Sequence, residues 1–179
     1  MPVPRVTLLV LLLLTFSSCN FVTSERQLKA LMNDALKLME RDTNVTEQWS
    51  NEFNRAFTKE NRAKFPANRD FLRSHAAQII KLLDESSSLN KNAAEKYEQA
   101  AVVSAYDQQQ RGLASFASGC RKKAELNEIW KSLMQTVSDK TVADEKALDE
   151  KFSHWGRLLE QKGREVDQDF HDGKRLLRL

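Results

Sequence analysis

The feature that most constrains the fold is a run of apolar side chains three and four residues apart, which extends along nearly the whole chain after residue 24. Leu28, Leu31, Met32, Ala35, Leu36 and Met39 open it, and Trp49, Phe53, Ala56 and Phe57 resume it. Phe71, Leu72, Ala76, Ile79, Ile80 and Leu83 carry it on, followed by Ala93, Ala94, Tyr97, Ala100 and Ala101. Tyr106, Leu113, Phe116, Cys120, Ala124, Trp130, Leu133, Met134 and Val137 mark a third segment. A fourth holds Ala147, Leu148, Phe152, Trp155, Leu158, Leu159, Lys162, Val166 and Phe170. Such spacing places each set on one face of a helix. No stretch alternates convincingly with period two, and Pro66 is the only proline beyond residue 4. The expected fold is all-α: an elongated antiparallel bundle of three to four long helices behind an N-terminal signal segment.

Helix boundaries follow from capping chemistry. Ser24 with Gln27 has capping-box spacing, and one helix is expected from about Glu25 to Asn61. Asp42-Thr43-Asn44 interrupts it weakly, with a kink near Asn44 allowed, and Phe65-Pro66 ends it. Asn68 is placed to cap the next helix, with Asp70 in its first turn. Ser86-Ser87-Ser88-Leu89-Asn90 is soft enough for a kink or break, and the chain is expected to bend near Ser104. Ser138-Asp139-Lys140 reads as a turn, Thr141 with Asp144 as a cap-like pair, and Gly173 as a helix end. Connections this short make successive helices antiparallel. Gly112 and Gly119, seven apart, point to close helix packing, whereas Gly156 and Gly163 each cost up to about 1 kcal/mol inside the last helix.

The N-terminus is of another kind. Leu8–Leu14 is unbroken aliphatic, preceded by Arg5 and followed by small polar residues. The apolar segment is about ten residues long, half the ~20 that a bilayer-spanning helix needs, and the arrangement is that of a secretory signal peptide. Its exit reads two ways. Cleavage after Cys19 would leave Asn20 as the new terminus. Alternatively, Phe16-Ser17-Ser18-Cys19 resembles the lipobox of bacterial lipoprotein precursors. It departs from that pattern in having Phe16 where an aliphatic residue is commoner, and a single basic charge before the apolar run. The resemblance implies cleavage before Cys19, lipidation of its thiol and a membrane held through the acyl chains. The expected organisation is a signal peptide at 1–18, a tether at 19–23, the helical bundle at 24–171 and a basic tail at 172–179.

The rest of the chain is sparing with chemistry. There are 28 basic and 25 acidic residues, interspersed, so no nucleic-acid footprint is visible. Cys120 has Cys19 as its one conceivable disulfide partner and sits at helical spacing with apolar residues, which makes it a packed thiol. His75 flanks an apolar stripe. Glu150 with His154 and Asp167 with His171 are four apart, whereas di-metal carboxylate bundles use Glu-x-x-His with a three-residue step. Neither HExxH, Cys-x-x-Cys, Gly-x-Ser-x-Gly nor a phosphate-cradling glycine loop occurs. No catalytic, metal or cofactor-binding residue is assigned, and no cofactor is expected. Asn44-Val45-Thr46 is a glycosylation acceptor only if the chain enters a eukaryotic secretory pathway.

Two functions lead, ahead of a hydrolase or metal protein. One is a non-enzymatic, membrane-tethered extracytoplasmic lipoprotein of the bacterial envelope, serving protein interaction with an unknown partner or envelope structure, and lipidated at Cys19. The other is a soluble secreted helical protein that binds an apolar ligand or lipid between its helices, lined by Trp49, Phe53, Phe57, Trp130, Phe152 and Trp155.

Overall fold

The computed structural model describes the backbone of residues 5–178 and the side chains of residues 24–178. Among the described residues there are five helices, four of them long: α1 (Arg5–Ala56), α2 (Lys59–Ala63), α3 (Arg69–Val103), α4 (Asp107–Gln135) and α5 (Glu145–Leu177), with a 3-10 turn at Thr136–Ser138. No strand occurs among the described residues. Helix α1 packs on α3, α3 on α4 and α4 on α5, while aromatic side chains bridge α5 back to α1 through Phe53, Phe57 and Phe152. The long helices are antiparallel to their neighbours in an all-α bundle. No described helix is long and apolar enough to cross a membrane.

The packing faces follow a seven-residue repeat. Leu28, Ala35, Asp42, Trp49 and Ala56 are all buried along α1. In α3 the buried positions alternate four and three apart: Leu72, Ala76, Ile79, Leu83, Ser86, Asn90, Ala93, Tyr97 and Ala100. Helix α4 continues the pattern with Leu113, Ala117, Cys120, Ala124, Asn127 and Met134. A strict heptad seam of this kind lets knobs pack into holes between neighbouring helices. Four of these seam positions, Asp42, Ser86, Asn90 and Asn127, are polar, and Asp42, Ser86 and Asn127 meet at mid-height. They divide the core into one cluster around Phe57, Leu72, Ile79, Leu133 and Leu148 and another around Leu28, Ala93, Tyr97, Leu113 and Cys120.

Several boundaries differ from the sequence reading, each for a local reason. Helix α1 runs through residues 19–24, so Ser24 does not start a helix and the expected tether is helical backbone. Neither Asn44 nor the serine run at 86–88 breaks its helix. Thr43 returns its hydroxyl to the Met39 carbonyl at 3.0 Å, and the Asn90 amide donates to the Ser86 carbonyl at 2.8 Å, so these polar side chains bond within the helix instead of ending it. Asn68 occupies the cap position of α3 without capping, because its amide donates to the Asn61 carbonyl at 2.7 Å. At α5 the cap is Asp144, whose carboxylate accepts from the Ala147 amide at 2.9 Å. Thr141 is instead drawn to Asp139. The bend at Ser104 is real: its backbone is extended, and Tyr106, expected on a core stripe, is 65 % exposed there.

Gly173 does not end α5, which continues to Leu177 and closes with Arg178 in the left-handed region at φ 57°. A Cβ at Gly173 would lie 2.7 Å from the Phe116 ring and 3.2 Å from the Gly112 carbonyl, and one at Gly112 would lie 2.8 Å from Leu177. The two glycines let α4 and α5 close on each other. Gly119 plays the same part against Phe170 at 3.2 Å, as its spacing with Gly112 leads one to expect. Of the stretch read as a basic tail, residues 172–177 are instead the last turns of α5, with Gly173 buried against α4.

Candidate functional site

The most concentrated chemistry in the interior is the polar layer. Asp42 is fully buried, and both of its oxygens are engaged. The Ser86 hydroxyl donates to Oδ1 at 2.5 Å, and the Lys123 ammonium, 22 % exposed, reaches Oδ2 at 2.5 Å. Ser86 in turn accepts from the Asn127 amide at 2.8 Å. A buried carboxylate is tolerated only when paired and hydrogen-bonded in this way. Every partner in the set comes from a different turn of α1, α3 or α4, so the layer holds the register of three helices. The residue that sequence reasoning missed is Asp42, taken there as a turn former. Its heptad spacing with Ala35 and Trp49 was the available signal.

Cys120 lies one turn from Lys123 in the same region. Its thiol is buried and donates to the Met39 thioether at 3.4 Å. Burial pushes its pKa up to about 12, helped by the negative charge of Asp42 and opposed by Lys123. At neutral pH it is a protonated, packed thiol rather than a nucleophile. Burial likewise raises the Tyr97 hydroxyl to about 12.

The histidines remain apart. His75 is half-buried, with Nδ1 hydrogen-bonded to the Glu52 carboxylate and its ring edge-on to Phe71 at 4.4 Å. His154 stacks edge-on against Trp155 at 5.4 Å, and His171 is exposed on α5. Among the described residues no group of three His, Cys, Asp or Glu side chains comes together as a metal site would require. Asn44 is exposed on a continuous helix, while the Thr46 hydroxyl two residues on is buried without a partner. The side chain of Cys19 lies outside the described residues.

The aromatic set is brought together, but ring against ring. Trp49 meets Trp130 at 5.0 Å, Trp130 meets Phe53 edge-on at 5.2 Å, Phe53 stacks on Phe57 at 5.2 Å and Phe57 reaches Phe152 at 5.7 Å. Centroid separations of this size are those of packed aromatic pairs. Trp155 packs against the same cluster. These side chains fill the core half between the polar layer and the α4–α5 turn.

A broad concavity lies at the other end. Glu25, Leu28, Lys29 and Met32 of α1, the Ala105–Gln109 turn and Leu176–Arg178 of α5 enclose an open groove of about 1170 Å³. The end is fastened by the Gln108 amide donating to the Leu176 carbonyl at 2.8 Å and by the Ser104 hydroxyl donating to Gln109 at 2.6 Å. It is also the end from which α1 extends back to Arg5. Comparison with protein-family models, curated proteins and solved structures finds no match to this chain.

Proposed function

We propose that the protein is a non-enzymatic, membrane-tethered helical module of the bacterial envelope, anchored through acyl chains on Cys19 and offering its long helical faces for protein interaction or envelope structure. The observation that carries this reading is the lipobox-like Phe16–Cys19 at the exit of a short apolar leader. The geometry of α1 makes such an anchor effective. Leu28, the first core residue, follows Cys19 by nine positions on one continuous helix, about 13 Å at 1.5 Å per residue. A lipidated Cys19 would hold the bundle end-on, close to its membrane.

The interior supports a structural role. Two interior side chains with nucleophilic atoms are committed to packing: Cys120 is protonated and sealed, and Ser86 is bonded to a carboxylate within the core. The rings offered for an apolar ligand are occupied with one another, which favours the tethered module over a lipid carrier. Membrane fractionation of cells expressing the natural chain and its Cys19→Ser variant tests the tether. The natural chain is expected in the membrane fraction, released by detergent and not by salt, with the variant unprocessed or soluble. A processed natural chain found wholly in the soluble fraction would overturn the reading.

A further inference from the structure

We propose that the bundle tip formed by residues 24–30 of α1, the α3–α4 turn and the end of α5 rests directly on an anionic lipid surface. This deepens the tether reading and takes its orientation from it. Its own support lies in how charge and exposed apolar surface are distributed. Residues 24–30, 102–111 and 172–178 carry six basic side chains (Arg26, Lys29, Arg111, Lys174, Arg175 and Arg178) against three acidic ones (Glu25, Asp107 and Asp172), a net of +3. The opposite end, residues 57–70 and 136–149, holds six of each sign. The whole chain sums to +3, and Arg5 holds one of those charges, so everything outside the tip and the leader sums to −1. The molecule is polarised along its length, with the positive pole at the tip.

The same tip exposes what an interface between water and lipid accepts. Val102 is 83 % exposed and Tyr106 65 % exposed, flanking the α3–α4 turn. Tyrosine is favoured at headgroup depth, and clustered Lys and Arg beside an anchor are drawn to anionic headgroups. Position completes the case. Six residues separate Cys19 from Glu25 along α1, about 9 Å of helix, so an acylated Cys19 leaves the tip within reach of the headgroups. Arg175 is paired with Asp172 at 3.1 Å and Lys29 with Glu25 at 3.0 Å. Among the described residues, Arg26, Arg111, Lys174 and Arg178 enter no ion pair.

The test uses the full chain as the cell processes it, carrying Tyr106→Trp, reconstituted into vesicles whose acyl chains bear bromine, a contact quencher. Natural protein supplies the baseline, since Trp49, Trp130 and Trp155 belong to the other half of the core. The expected result is quenching of the added tryptophan in phosphatidylglycerol vesicles and not in pure phosphatidylcholine. It should be relieved at about 1 M salt, where the screening length is about 3 Å, and in K174E/R175E/R178E, whose three positions are exposed. No quenching in phosphatidylglycerol, or equal quenching in both lipids, would overturn the proposal. The salt series needs no charge-reversed variant, so a folding defect in that variant leaves the test intact. If the mature chain carries no acyl group, the tether reading fails by itself. Sedimentation of the unacylated chain with the same vesicles then tests the tip alone. Binding is expected only to anionic vesicles, weakened about five-fold per neutralised cation and further by each reversed one, and absence of binding overturns it.

Discussion

Asp42 sets what single residues do in this protein. A carboxylate in the centre of a bundle is stable only while Ser86 and Lys123 hold its two oxygens. Asp42→Ala is expected to cost about 2–4 kcal/mol in denaturant unfolding, somewhat below the loss for a fully buried pair because Lys123 keeps access to water. A loss under about 1 kcal/mol would show that the layer contributes little beyond burial. Cys120 gives a second expectation at this scale. Its folded pKa, about 12, stands above the ordinary 9.0, so above pH 9 the unfolded chain ionises first and draws the equilibrium toward unfolding. Stability should therefore be unaffected by this group below pH 9 and fall between pH 9 and 12, and the fall should be smaller in Cys120→Ala. Consistent with burial, a thiol reagent at neutral pH should label Cys120 only as fast as the protein opens.

At the scale of helices, glycine separates packing from propensity. Gly173 and Gly156 lie on the same helix, yet a Cβ would strike Phe116 at the first and meet nothing within 4 Å at the second. Gly173→Ala is expected to destabilise by about 1–3 kcal/mol through forced repacking, and Gly156→Ala to stabilise by about 0.5–1 kcal/mol through helix propensity. Thermal melts of both variants check the pair, and shifts of the same sign would contradict the α4–α5 packing. Helices of this kind are legible in sequence because an apolar face recurs with the helical period, and the Leu72–Leu83 stripe needed nothing more. The polar layer was not legible in the same way. Aspartate, serine and asparagine favour turns locally, and only the seven-residue spacing of Leu28, Ala35, Asp42, Trp49 and Ala56 reveals that Asp42 occupies a core position. The end of α5 was misread for a related reason. Gly173 has the residue type of a cap, but its role is to admit Phe116 and the α4 backbone, which no local pattern encodes.

For the molecule as a whole, topology produces what no segment contains. The cations of the tip come from three stretches spread across the chain and meet only because residues 24–30 of α1 lie level with the start of α4 and the end of α5. Sequence reading found the last of these stretches, took it for a tail and had no means of placing it beside Tyr106 and Lys29. The proposed leader rests on a local pattern alone, a short aliphatic run with a basic start and a small-residue exit. What the fold adds is a direct helical path from that exit into the core, so that chemistry at Cys19 would set how the whole bundle stands. The mass of the N-terminal peptide of the mature protein, released from isolated membranes, tests this most directly. The expected result is a chain beginning at Cys19 with a thioether-linked diacylglycerol. An unmodified chain beginning at Asn20 would contradict it.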